Sequence, residues 1–157
     1  MPKQWEVRVA SMHDVDRWLT FVETVQPDFY GIDLCHTARF TSGLVENIHR
    51  STAIYAEHEE FGEMLGAMMY SPTSQRIEWL AGRPDGRRQG IGTALMEYML
   101  ETFPDNSCIE VKTFVETAPS GKAAQSFYRH CGFQPKGILE DVNHRNAGHP
   151  FHLFVKE

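Results

Sequence analysis

The apolar residues of the chain change period several times, and each change marks a new element. Residues 5–10, WEVRVA, read as a first strand. Ser11 then starts a helix, with Asp14 three residues on as its capping-box partner. Val15, Trp18, Leu19 and Val22 follow at helical spacing, and Pro27 lies just past the end. A second helix is expected over 37–49, on a less regular face of Phe40, Leu44, Val45 and Ile48. Three strand-like pieces come next, 52–57, 63–70 and 76–81. Turns with Gly62 and Ser71-Pro72 separate them, which predicts a meander.

The loop GRPDGRRQGIG leads into the clearest helix of the chain. There Ile91, Ala94, Leu95, Tyr98, Met99 and Thr102 recur with the 3.6-residue period, and Pro104 stops it. Ile109, Val111, Thr113 and Val115 alternate as a strand. A shorter helix over 120–130 ends at Gly132, a suitable residue just past a helix end. Strands over 133–140 and 150–156 close the chain. The order β-α-α-β-β-β-α-β-α-β-β predicts an α/β fold with a mixed sheet. No repeat or linker divides it, so one domain is expected over residues 1–157.

Composition changes the picture little. Of 157 residues, 41% are hydrophobic and 23% charged, ordinary values for a globular chain. No apolar run approaches a membrane span, and MPKQWEVRVA lacks a signal peptide's apolar stretch. A cytoplasmic protein without membrane partners is expected. Cys35, Cys108 and Cys131 have no CxxC spacing, so they read as reduced, partly buried thiols. His144, His149 and His152 cluster in a loop and an expected edge strand. Without an HExxH pattern, no metal ion is expected there.

Charge is more informative. The net charge of −6 disfavours nucleic acid as a partner. Yet residues 83–90 carry Arg83, Arg87 and Arg88 against the single acid Asp85, which suggests a small anionic ligand. Arg87-Arg88-Gln89-Gly90-Ile91-Gly92 joins a strand to a helix. Gly90 and Gly92 let the backbone approach a ligand, and the amides from Gln89 to Thr93 start the helix unpaired. The helix dipole adds positive charge at the same place, so a pyrophosphate fits there. Two rival motifs fit worse. Leu95 stands where a dinucleotide turn needs its third glycine, and Gly90 lies too far from the strand end near Ala81. Gly121-Lys122-Ala123 lacks a P-loop frame.

Arg87-x-x-Gly90-x-Gly92 resembles the R/Q-x-x-G-x-G/A acetyl-CoA signature of the GNAT N-acetyltransferases. The strand 77–81 and Pro84 resemble its lead-in. The run AAQSFYRHCGF, Ala123 to Phe133, resembles the family's later A-A-x-x-FYxxxGF segment. The resemblance implies a mostly antiparallel mixed sheet flanked by about four helices. It implies that the amides of Arg88 to Thr93, with Arg87, hold the pyrophosphate of acetyl-CoA. It also implies that the strand backbone at Leu80, Ala81 and Gly82 pairs with the pantetheine arm. Tyr128 matches the tyrosine that faces the sulfur. Its ordinary pKa of about 10 exceeds the thiol's by about 1.5, so full proton transfer is uphill by about 2 kcal/mol and a strengthening hydrogen bond is the better role.

The implied activity is transfer of acetyl to an amine of a small molecule or peptide, by direct attack in a ternary complex. A lysine-like amine of pKa about 10.4 is neutral in roughly one molecule in a few thousand at pH 7, so a base or water path is needed. Glu78, on the strand leading to the motif, is the first candidate, and Glu110 on the next strand the second. The acceptor is expected near Phe29, Tyr30 and Asp33. Two departures stand out: Gly121 replaces a common asparagine, and Gly82 a branched aliphatic residue. They leave open an acyl-CoA-binding regulatory module without efficient turnover. The resemblance also allows a homodimer.

Overall fold

In the computed structural model, residues 4–29, 33–83, 90–105, 107–114, 121–141 and 150–157 are described, without the side chains of 28, 29 and 114. The elements are β1 (Trp5–Val9), α1 (Val15–Val25), α2 (Ala38–His49), β2 (Ala53–His58), β3 (Met64–Ser71), β4 (Arg76–Gly82), α3 (Ile91–Glu101), β5 (Ile109–Phe114), α4 (Gly121–His130), β6 (Gln134–Leu139) and β7 (Phe151–Lys156). Their order is the one the periodicity predicts. The Ser11 N–H donates to Asp14 Oδ2 at 2.8 Å, as the capping pattern requires. That first turn, Met12–Asp14, is 3-10, so the α-helix begins only at Val15.

One seven-stranded sheet runs in the order β1-β2-β3-β4-β5-β7-β6. All neighbours are antiparallel except β4 and β5. Helices cover both faces. Trp18, Phe21 and Val22 of α1 and Leu44 and Ile48 of α2 bury one face, with Trp79 beneath them. Leu95, Met96 and Met99 of α3 and Tyr128 of α4 bury the other, with Phe133 and Phe154. Strand β3, MLGAMMYS, lies between the two layers and is buried at every residue. That is why it shows no alternation: both faces of a central strand exclude water.

The C-terminal strands depart from expectation. Phe133 precedes β6 instead of starting it; its side chain is fully buried, and its N–H donates to the Tyr128 carbonyl at 2.9 Å to close α4. β7, expected at an edge, lies between β5 and β6. The edge strand is β6, exposed throughout, with Pro135 and Gly137 at a register shift. Proline offers no N–H to a further strand, so an edge tolerates it. Among the described residues, no helix is long and apolar enough to cross a membrane.

Candidate active site

The feature that positions the site is a parting of two strands. β4 and β5 pair only at Arg76–Glu110 and Ile77–Val111. Beyond Ile77 the β4 backbone keeps its bonds to β3 as far as Gly82, which pairs with Gly66, but it has left β5. Among the described residues, no strand pairs with that side of β4 at Leu80, Ala81 and Gly82, where a strand-like ligand could add.

Glu78 sits where the strands part, and the register shows why. Met69 pairs with Trp79 and Tyr70 with Ile77, so Glu78 is an extra residue in β4, a β-bulge. The bulge flips the faces. Residues two apart normally share a face, yet Ile77 packs under α3 and Trp79 under α1 and α2. Past the bulge Leu80 turns to the α3 layer and Ala81 to the α1–α2 layer.

The Glu78 carboxylate has a partner the sequence did not reveal. Asn47 of α2, 3% exposed, donates from Nδ2 to Glu78 Oε2 at 3.1 Å and to the Gly43 carbonyl at 2.8 Å. Thr52 Oγ1 donates to Asn47 Oδ1 at 2.7 Å and so fixes which way the amide faces. The available signal was a polar residue beside Leu44 and Ile48 on the buried face of α2. Glu110 is placed differently: it lies at the closed end of the parting, and its N–H donates to the Gln75 carbonyl at 2.9 Å.

The helix start that the motif points to is α3. Gly90 precedes it at φ +81°, in left-handed geometry, with open space where a Cβ would stand. The first intrahelical bond runs from the Ala94 N–H to the Gly90 carbonyl at 3.0 Å. The N–H groups of Ile91, Gly92 and Thr93 therefore precede the helical ladder, and Gly90 has no side chain to cap them. This donor set and the dipole behind it suit a pyrophosphate. Arg87, Arg88 and Gln89 lie outside the described residues. Arg83 does not stand ready for an anion, because its guanidinium pairs with Glu63 at 2.7 Å.

Gly92 has a second reason to be glycine. A Cβ there would stand 3.0 Å from Cε1 of Phe127 on α4, so the two sequence motifs meet in space. Gly66 on β3 was missed: a Cβ there would come within 2.7 Å of Ile91 Cγ2. The bare backbone at Gly66 lets the start of α3 settle onto the sheet. Gly82 does not fray its strand, since it remains paired with Gly66, and Gly121 is buried at the start of α4.

Tyr128 packs at the edge-on angle against Phe127 and Phe133, 5.5 and 5.6 Å between centroids. Burial pushes its hydroxyl far above the ordinary range, so it stays protonated at working pH and keeps a hydrogen to offer. Of the expected acceptor residues, Tyr30 and the Phe29 side chain lie outside the described residues. Asp33 is exposed, and His36 Nδ1 meets its carboxylate at 2.9 Å. The hydrogen bond from His36, then that from Cys35, holds the Asp33 carboxyl below its usual range. An open groove of about 400 Å³ runs from α1 to the end of β4, along Thr20, Phe21, Thr24, Met64 and Arg83. His144 and His149 lie outside the described residues, and His152 of β7 packs on Phe154, 4.9 Å between rings. Cys35 is buried, Cys131 half-buried and Cys108 exposed, all as free thiols.

Comparisons with known proteins bear on the fold and the family. The model of the acetyltransferase (GNAT) family matches residues 16–133. A Bacillus subtilis relative, UPF0157 protein YqkA, is 32% identical over 121 residues, covering 71% of this chain. The chain spans 32% of that protein's length. Among solved structures, Arabidopsis thaliana Naa50 in complex with the bisubstrate analogue CoA-Ac-MVNAL superposes with a TM-score of 0.73 at 13% identity, covering 98% of this chain and 99% of that one. The Drosophila melanogaster polyamine N-acetyltransferase that forms N-acetylagmatine gives 0.70 at 15% identity, covering 96% and 98%. At such identities the likeness is one of fold. The family match spans most of the chain, and the chain belongs to the acetyltransferase (GNAT) family.

Proposed function

We propose that the protein transfers an acetyl group from acetyl-CoA to an amine, by direct attack with both substrates bound. The observation that carries this reading is the uncapped start of α3 beside the parting of β4 from β5. The amides of Ile91, Gly92 and Thr93 would hold the pyrophosphate, and the β4 backbone at Leu80, Ala81 and Gly82 the pantetheine arm. Acetyl-CoA, when bound, supplies an activated carbonyl and a thiolate leaving group. The chain's own residues do the rest.

Glu78 accepts the proton that the amine must lose, directly or through one water, with Asn47 holding its carboxylate at the bulge. As the carbon–nitrogen bond forms and the carbon–sulfur bond breaks, the electron pair goes to sulfur. The Tyr128 hydroxyl then donates a hydrogen bond that strengthens with the charge. Raised by burial, it does not surrender its proton outright. The groove from α1 to Arg83 is the proposed approach for the acceptor; Asp16 and Glu63 line it together with Arg17 and Arg83, and Glu63 is already paired with Arg83. The Drosophila relative's polyamine chemistry and the peptide analogue on Naa50 set the first acceptors to try. The test is release of the CoA thiol from acetyl-CoA with agmatine, polyamines and peptide N-termini. Saturable release with at least one class supports the reading, whereas binding of acetyl-CoA without release across the panel opposes it.

A further inference from the structure

The loop between α1 and α2 brings together three side chains that the proposed reaction does not use as a set. Asp33, Cys35 and His36 lie in and just before the 3-10 turn Leu34–His36, and one ligand-type atom from each falls within 4.8 Å of the others. We propose that they bind a divalent cation of the zinc class through the Cys35 thiolate, His36 Nδ1 and one Asp33 carboxylate oxygen.

Geometry carries the argument. Zinc bonds of about 2.3 Å to sulfur and about 2.0–2.1 Å to nitrogen and oxygen, at tetrahedral angles, imply ligand separations of about 3.6 Å (S–N), 3.5 Å (S–O) and 3.3 Å (N–O). Here Cys35 Sγ lies 3.7 Å from His36 Nδ1 and 3.4 Å from Asp33 Oδ1. His36 Nδ1 lies 2.9 Å from Asp33 Oδ1. Two edges already match. The third is shorter because a proton joins that pair, and a cation taking the proton's place would widen it by a few tenths of an ångström.

The turn is held from outside the three ligands. The Cys35 N–H donates to Gln26 Oε1 at 2.9 Å, and Thr37 Oγ1 donates to the Asp33 carbonyl at 2.7 Å. Cys35 is buried while Asp33 and His36 are exposed. The thiolate would thus form the floor, the other two the walls, and solvent the fourth position. A thiolate with one imidazole and one carboxylate selects zinc-like metals over magnesium or calcium, which require mostly oxygen. On ligation the Cys35 thiol releases its proton to solvent, and neutral His36 binds through its Nδ1 lone pair with the proton on Nε2.

Cobalt(II) titrated into the reduced full-length chain is the test, read by the visible absorption of tetrahedral cobalt and its thiolate charge-transfer band. One equivalent should saturate the signal, and zinc should displace it. Cys35→Ser should abolish the charge-transfer band. His36→Gln alters an exposed side chain and leaves folding intact; it should weaken cobalt binding at least about tenfold, since even outer-shell changes cost that much. No saturable signal, a band that persists in Cys35→Ser, or unchanged affinity in His36→Gln would each overturn the proposal.

Discussion

At the scale of single residues, the account depends on positions where a side chain is absent as much as on those where one is present. Gly90 sits at φ +81° facing open space. Gly90→Asp should cost only about 1–2 kcal/mol of stability, the usual penalty for left-handed geometry. It should nonetheless remove acetyl-CoA binding by placing a negative charge at the pyrophosphate site, which calorimetry would measure. Gly66→Ala is the contrasting case. Its Cβ would meet Ile91 Cγ2 at 2.7 Å, and a β-branched side chain on a helix has little freedom to yield. We expect a loss of about 1–3 kcal/mol in urea unfolding, together with weaker cofactor binding as α3 is pushed off the sheet. Tyr128→Phe should keep the packing with Phe127 and Phe133 and leave cofactor affinity unchanged. Turnover in the thiol-release assay should fall by about tenfold or more, and undiminished turnover would return Tyr128 to a packing role.

At the scale of elements, α2 and β4 are joined by one polar contact inside an otherwise apolar layer. Asn47 links the Gly43 carbonyl, Thr52 and Glu78. Asn47→Ala should leave the Thr52 hydroxyl only its longer bond to the carbonyl of residue 47, strip the Glu78 carboxylate of its amide donor, and lower stability by about 1–3 kcal/mol. Glu78→Gln should lower turnover about a hundredfold while the fold persists, because Glu78 is exposed and its packing contribution is small. This element pair also shows where sequence reading stops. The 3.6-residue rhythm of α3, the meander and the two motifs were legible because each is a local pattern. The bulge at Glu78 was not, since β4 reads as a regular strand and only its register against β3 shows the extra residue. Asn47, Gly66 and the Arg83–Glu63 pair were hidden for the same reason: their partners lie 20 or more positions away. The Asp33–Cys35–His36 cluster is local, but nothing in its letters says that the turn points three side chains together.

At the scale of the whole molecule, a sheet covered on both faces fixes the parting of β4 from β5. The layers also set a pH limit. Burial raises the hydroxyls of Tyr128 and Tyr70 above their unfolded values. An unfolded chain loses these protons near pH 10 while the folded one keeps them. The stability from keeping both hydroxyls neutral is therefore complete below about pH 10 and is lost as pH rises beyond it. Thermal melts from pH 8 to 11 should show a fall that sets in near pH 9, because burial also raises the Cys35 and Cys131 thiols, and that steepens near pH 10 as the hydroxyls contribute; Tyr128→Phe should be shallower only in the upper part. An equal fall in the variant would place the titrating groups elsewhere.

If the backbone donors ahead of the α3 ladder hold the diphosphate of CoA, amide NMR during a CoA titration will see it there. Large, saturable downfield shifts are expected at the amides of Ile91, Gly92 and Thr93, sharing one dissociation constant with the protein's bulk binding. Saturable CoA binding that leaves those three amides unmoved, with the shifts gathered on another element, would contradict it.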